Sequence, residues 1–128
     1  MKIILVDAVY TFVSDTGVIF KEMYDLLETF PNKKIILTNA SDDKYRQYGL
    51  DKMPYEVFTL KHNPEKTDPK YFETMLKRFS LSKDNVIYFE HSLDAVKSAE
   101  SIGIKSYHYD SEKKDLVALK SFLMENLS

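Results

Sequence analysis

The chain has no cysteine, only three glycines and four prolines, and no long apolar run. The first absence excludes disulfides, thiolate metal sites and cysteine nucleophiles, and it fits a reducing cytosol. With glycine and proline this scarce, the composition is that of an ordinary folded protein, neither disordered nor low in complexity. No segment approaches the ~20 apolar residues of a membrane span. The opening apolar run is too short for the core of a signal peptide, and it ends in Asp7 with no small-residue cleavage pattern behind it. A net charge of −2, with acids and bases interspersed, gives no electrostatic footprint for nucleic acid or for an anionic membrane. The expectation is a soluble, cytoplasmic protein that binds neither. Its 128 residues suffice for one domain with a genuine core and no second one.

The most informative stretch comes first. Ile3, Ile4, Leu5 and Val6 form a continuous apolar run that meets an acid, Asp7. Such a run reads as a strand covered on both faces, the pattern of a parallel sheet. Ligands of such sheets sit at the carboxyl ends of the strands, where the strand order reverses. Asp7 would stand there as a nucleophile, a metal ligand or merely a cap on the next turn.

The same grammar repeats along the chain. Ile35-Ile36-Leu37 ends at Thr38-Asn39, Val86-Ile87-Tyr88-Phe89 ends at Glu90-His91-Ser92, and Val57–Leu60 and Ile104–Tyr107 are shorter strand candidates. Between them lie helical stripes: Ile19, Met23, Leu26, Leu27 and Phe30; Phe72, Met75, Leu76 and Phe79; Ala95, Val96, Ala99 and Ile102; Leu116, Leu119 and Leu123. Residues 9–18 read as an irregular turn or small flap. Ser41 is positioned to cap a short helix stopped by Gly49, and Asp68-Pro69 reads as a helix opening. Alternating strands and helices predict an α/β domain, a doubly wound, mainly parallel five-stranded Rossmann-like sheet with helices on both faces. The tyrosines, including Tyr45, Tyr48, Tyr55, Tyr88, Tyr107 and Tyr109, are expected at the core edge and surface.

A doubly wound sheet can gather Asp7, Thr38-Asn39, Lys66 and Glu90-His91 at one rim. There a carboxylate can attack phosphorus or hold a cation, while a hydroxyl, an amide and an ammonium engage phosphoryl oxygens. Asp7 with Thr11 four residues on, Ile35–Asn39, Lys66-Thr67-Asp68-Pro69-Lys70-Tyr71-Phe72 and Val86–Ser92 together resemble, in order and spacing, the four motifs of the haloacid dehalogenase (HAD) superfamily. The resemblance covers nearly the whole chain. It implies a HAD-like fold and magnesium-dependent phosphoryl transfer on a phosphorylated small molecule or protein. It also implies catalytic roles for Asp7 as nucleophile, Thr38 and Lys66, and phosphate binding by Thr38, Asn39 and Lys66. The metal would fall to Asp7, the backbone of Val9, and Glu90 or His91. With only a flap and one helix between the first two motifs, the chain looks like a capless member.

Two departures touch the machinery. The family's phosphatases place a general acid two residues after the nucleophile, where this chain has Val9; its loss costs roughly 10²–10⁴-fold in rate. The fourth motif's metal-binding aspartate is replaced in the pair Glu90-His91, and imidazole suits zinc better than magnesium. The sequence therefore points to a HAD-like protein with weak or lost phosphatase activity. The alternative is an active phosphohydrolase using Asp7. Dehalogenase-like chemistry also dispenses with the second acid, but it is expected with a cap.

Overall fold

Five parallel strands lie at the centre of the computed structural model, which describes residues 1–127. They are β1 (Ile3–Asp7), β2 (Lys34–Thr38), β3 (Glu56–Thr59), β4 (Val86–Glu90) and β5 (Lys105–His108), arranged in the order β3-β2-β1-β4-β5. Every pairing is parallel, so the sheet expected to be mainly parallel is wholly so. The connecting helices are α1 (Lys21–Glu28), α2 (Asp42–Gln47), α3 (Lys70–Arg78), α4 (Leu93–Ser101) and α5 (Leu116–Asn126). The chain lays down β1, β2 and β3 outward on one side, then returns to place β4 on the other side of β1. The strand order therefore reverses between β1 and β4, and a crevice opens at their carboxyl ends.

Strand alternation divides the core in two. Ile4, Val6, Ile36, Ile87 and Phe89 pack with Met23 and Leu27 of α1 and Leu119 and Leu123 of α5. Leu5, Ile35, Leu37 and Tyr88 face the other way, against Tyr71, Phe72 and Met75 of α3 and Ala99 of α4. Residues of β1, β2 and β4 are buried on both faces, which is why these strands read as unbroken apolar runs.

The parity of the strands also sets the site. Asp7 lies two residues beyond Leu5 and Glu90 two beyond Tyr88, so both acids point to the face covered by α3. Val6 pairs with Phe89, which brings the next residues, Asp7 and Glu90, side by side. The loop into α3 descends over the same face and delivers Lys66.

The boundaries differ from expectation in a few places. The apolar stripe beginning at Ile19 enters α1 only at Lys21, because Ile19 bridges to Val13, which also bridges to Val9. These bridges give the expected flap its form. Ser41 makes no side-chain cap; the caps that form are Ser92 on α4 and Asp115 on α5. Asp68 accepts from Lys70 N at 2.9 Å, as its place before α3 anticipates. Tyr88 and Tyr109 are fully buried rather than at the core edge. Among the described residues, no helix is long and apolar enough to cross a membrane.

Candidate active site

The crevice at the β1–β4 reversal is an open pocket of about 300 Å³. Its lining includes Asp7, Val9, Thr38, Asn39, Lys66, Glu90 and His91, so all seven expected site residues meet there. Lys44, Tyr48 and His62 complete its outer part.

At its floor, four ionisable groups form a closed ring. Lys66 Nζ donates to Asp7 Oδ1 at 2.7 Å and to Glu90 Oε1 at 2.9 Å. On the opposite side His91 Nδ1 lies 2.5 Å from Asp7 Oδ2 and 3.2 Å from Glu90 Oε2. Asp7, Lys66 and Glu90 are almost fully buried, while the His91 side chain keeps 29% of its exposure. Buried carboxylates are tolerable only when paired, and here each is shared between two nitrogen donors.

Asp7 receives more than the ring supplies. Thr11 Oγ1 donates to Oδ2 at 2.7 Å, and the backbone N of His91 donates at 3.3 Å. Four donors thus meet the carboxylate, three of them on Oδ2 and Lys66 alone on Oδ1. Glu90 also accepts from the Tyr88 hydroxyl and, through Oε2, from Ser92 N at 3.1 Å.

Charge states follow from these contacts. Burial alone would push the Asp7 carboxyl up, but the Lys66 ammonium and the His91 hydrogen bond outweigh it and hold it well below the usual carboxylate range. Burial likewise works against the Lys66 charge, and the Asp7 and Glu90 carboxylates more than reverse it. Hydrogen bonds to Asp7 and then Glu90 push the His91 imidazole up to about 10. Near neutral pH, His91 and Lys66 are therefore both positive, each set against the two acids.

The second strand contributes differently. Thr38 Oγ1 accepts from Ala40 N at 3.1 Å, and the Thr38 carbonyl accepts from the Tyr71 hydroxyl at 2.7 Å. Asn39 Oδ1 accepts from the backbone N of Lys66 at 2.8 Å, fixing the loop that carries the ammonium. Val9 sits half-buried at the pocket wall with no side-chain proton to give.

Sequence reasoning missed two partners. Tyr88 is two residues before Glu90 and so on the same face of β4, a relation legible from strand period. His108, whose Nε2 donates to the His91 carbonyl at 2.9 Å, belongs to β5 and gives no local signal. Tyr10 stands edge-on to the His91 ring, centroids 5.7 Å apart.

Asp7, Glu90 and His91 bring potential ligand atoms within 4.8 Å of one another. Magnesium needs a near-octahedral set of oxygens at roughly 2.0–2.1 Å. Here a nitrogen donor stands between the two carboxylates and every carboxylate oxygen already accepts, so this donor set does not fit magnesium.

The sequence matches no protein-family model and no curated protein. The fold is matched by several solved structures. A D,D-heptose 1,7-bisphosphate phosphatase from B. bronchiseptica, solved with magnesium and phosphate, superposes with a TM-score of 0.71 at 16% identity over 98% of this chain and 99% of its own. A HAD-superfamily hydrolase of subfamily IA from Geobacter sulfurreducens gives 0.66 at 13% identity, covering 85% and 87%. A HAD family enzyme from Bacteroides thetaiotaomicron, solved with magnesium and inorganic phosphate, gives 0.66 at 11%, covering 84% and 93%. At these identities the likeness establishes architecture alone: the chain has the fold of the HAD-superfamily hydrolases.

Proposed function

We propose that this chain is a capless, cytoplasmic HAD-like protein that binds a phosphoryl group of a small molecule or protein and hydrolyses it weakly or not at all. One observation carries the reading: both oxygens of the Asp7 carboxylate are engaged, Oδ1 by Lys66 and Oδ2 by Thr11 and His91. Oδ2 must release a donor before its lone pair can attack phosphorus, Oδ1 stays tied to the Lys66 ammonium, and a carboxyl held so far below its usual range is a weak nucleophile. Val9 adds a second obstacle, since the leaving oxygen finds no proton donor at that position.

Anion binding is a different matter. Asn39, Lys66 and Thr38 all line the pocket, with Asn39 bonded to the Lys66 backbone, and a lysine ammonium carries a third proton beyond the two given to Asp7 and Glu90. Thr38, Asn39 and Lys66 are the groups that would hold phosphoryl oxygens. The pocket is open to solvent, which suits a phosphate carried on a large molecule. Magnesium, expected from the family, has no suitable donor set here. The absence of cysteine supports the cytoplasmic assignment.

The test is turnover of an activated aryl phosphate, which needs little leaving-group protonation, by the natural chain and by Asp7→Asn. Matching, negligible rates support the reading. A rate in the ordinary enzymatic range of roughly 1–10³ s⁻¹, abolished by Asp7→Asn, would instead make it an active phosphohydrolase.

A further inference from the structure

The place between the two acids at the end of β1 and β4 is taken by the chain itself. Lys66 bridges Asp7 Oδ1 and Glu90 Oε1, while His91 Nδ1 bridges Asp7 Oδ2 and Glu90 Oε2. The His91 side chain is not a loose surface group. Its backbone N donates to the Asp7 carboxylate, its carbonyl accepts from His108, and Tyr10 abuts its ring.

We infer that His91 is a resident substitute for a divalent cation, so that the pocket holds anions without metal and becomes a magnesium site only when residue 91 is an acid. Lys66 and His91 between them reach all four carboxylate oxygens of Asp7 and Glu90, so the nitrogen donors occupy the place an ion would take. An aspartate at position 91 would withdraw the bridge and add a hard oxygen ligand beside Asp7 and Glu90, the ligand type magnesium requires. This rests on the reading of the same pocket as a phosphoryl site, but the two fail separately.

Calorimetric titration of the natural chain with Mg²⁺, Mn²⁺ and Zn²⁺ is expected to give no saturable heat, whereas His91→Asp gains saturable Mg²⁺ binding. Should His91→Asp not fold, His91→Glu places a hard oxygen ligand at the same position and is expected to gain it instead. Saturable uptake of any of the three ions by the natural chain, lost on changing His91, overturns the inference. So does a folded variant that stays indifferent to Mg²⁺. In parallel, inorganic phosphate is expected to raise the unfolding midpoint of the natural chain equally with chelator or with Mg²⁺. Protection that appears only with Mg²⁺ overturns the inference. No protection under either condition overturns the phosphoryl reading, and the cation claim is then decided by the calorimetry.

Discussion

Asp7 and His91, 84 positions apart in the chain, meet with Nδ1 2.5 Å from Oδ2. Their contact makes stability depend on pH in a defined window. The His91 imidazole is raised in the fold from 6.5 to about 10. Its contribution is therefore complete below pH 6.5, fades as pH rises, and is gone above about 10. Urea unfolding of the natural chain and of His91→Gln, measured from pH 6 to pH 10.5 or so, is expected to show a gap that narrows toward the alkaline end. A gap that stays constant or widens would mean that His91 is not held protonated by the acids.

Lys66 is the only buried cation within reach of both carboxylates among the described residues. Lys66→Met should cost about 3–5 kcal/mol, the usual result of stripping one partner from buried charges. The loss should shrink in acid. Asp7 is held well below its ordinary 3.8 in the fold, so its ion-pair stabilisation is complete above that pH and declines progressively as pH falls further below it. Chemical denaturation at neutral and at acid pH checks both statements.

Tyr88 gives its hydroxyl to Glu90 from inside the core. Tyr88→Phe keeps the ring packing against Phe72 and removes one donor to a charged group. A cost of about 1.5–3 kcal/mol is expected, seen as a lower urea midpoint with an unchanged slope. A loss under half a kilocalorie, on the scale of a surface change, would show that Glu90 does not depend on this bond.

Val9 and His91 can be altered together. Val9→Asp in a His91→Asp background supplies a proton donor beside Asp7 as well as an oxygen ligand. With Mg²⁺, the double variant should hydrolyse an alkyl phosphate at least ~10²-fold faster than His91→Asp alone, the low end of general acid catalysis. An aryl phosphate with a good leaving group should show little difference. Equal acceleration of both substrates would mean that the new carboxylate acts by something other than protonation.

Much of this was legible in the sequence because the governing patterns are local. Unbroken apolar runs such as Ile3–Val6 and Val86–Phe89 marked strands buried on both faces, and polar residues at their ends marked the crevice. The pocket assembled from Asp7, Thr38, Asn39, Lys66, Glu90 and His91 as the motif order implied. What pattern could not reveal was the partnership inside the pocket. Whether His91 turns toward Asp7 or toward solvent depends on the β1–β4 register and on His108 from β5, neither of which leaves a local trace. Amphipathic type alone sets Tyr88 at the core edge, whereas strand parity puts its hydroxyl on Glu90. The start of α1 shifted because Ile19 serves the flap, a tertiary preference that overrode helical spacing.

The mutual pairing of Asp7, Lys66, Glu90 and His91 carries over to the pocket's rim. Cations already matched to acids at the floor exert little pull on an approaching dianion, which leaves the exposed ammonium of Lys44 as the group expected to draw it in. An ammonium in water is screened over about 8–10 Å at physiological salt. Capture of phosphate should therefore weaken as ionic strength rises while the buried ring stays intact, so that a lysine outside the motifs sets how readily the pocket fills.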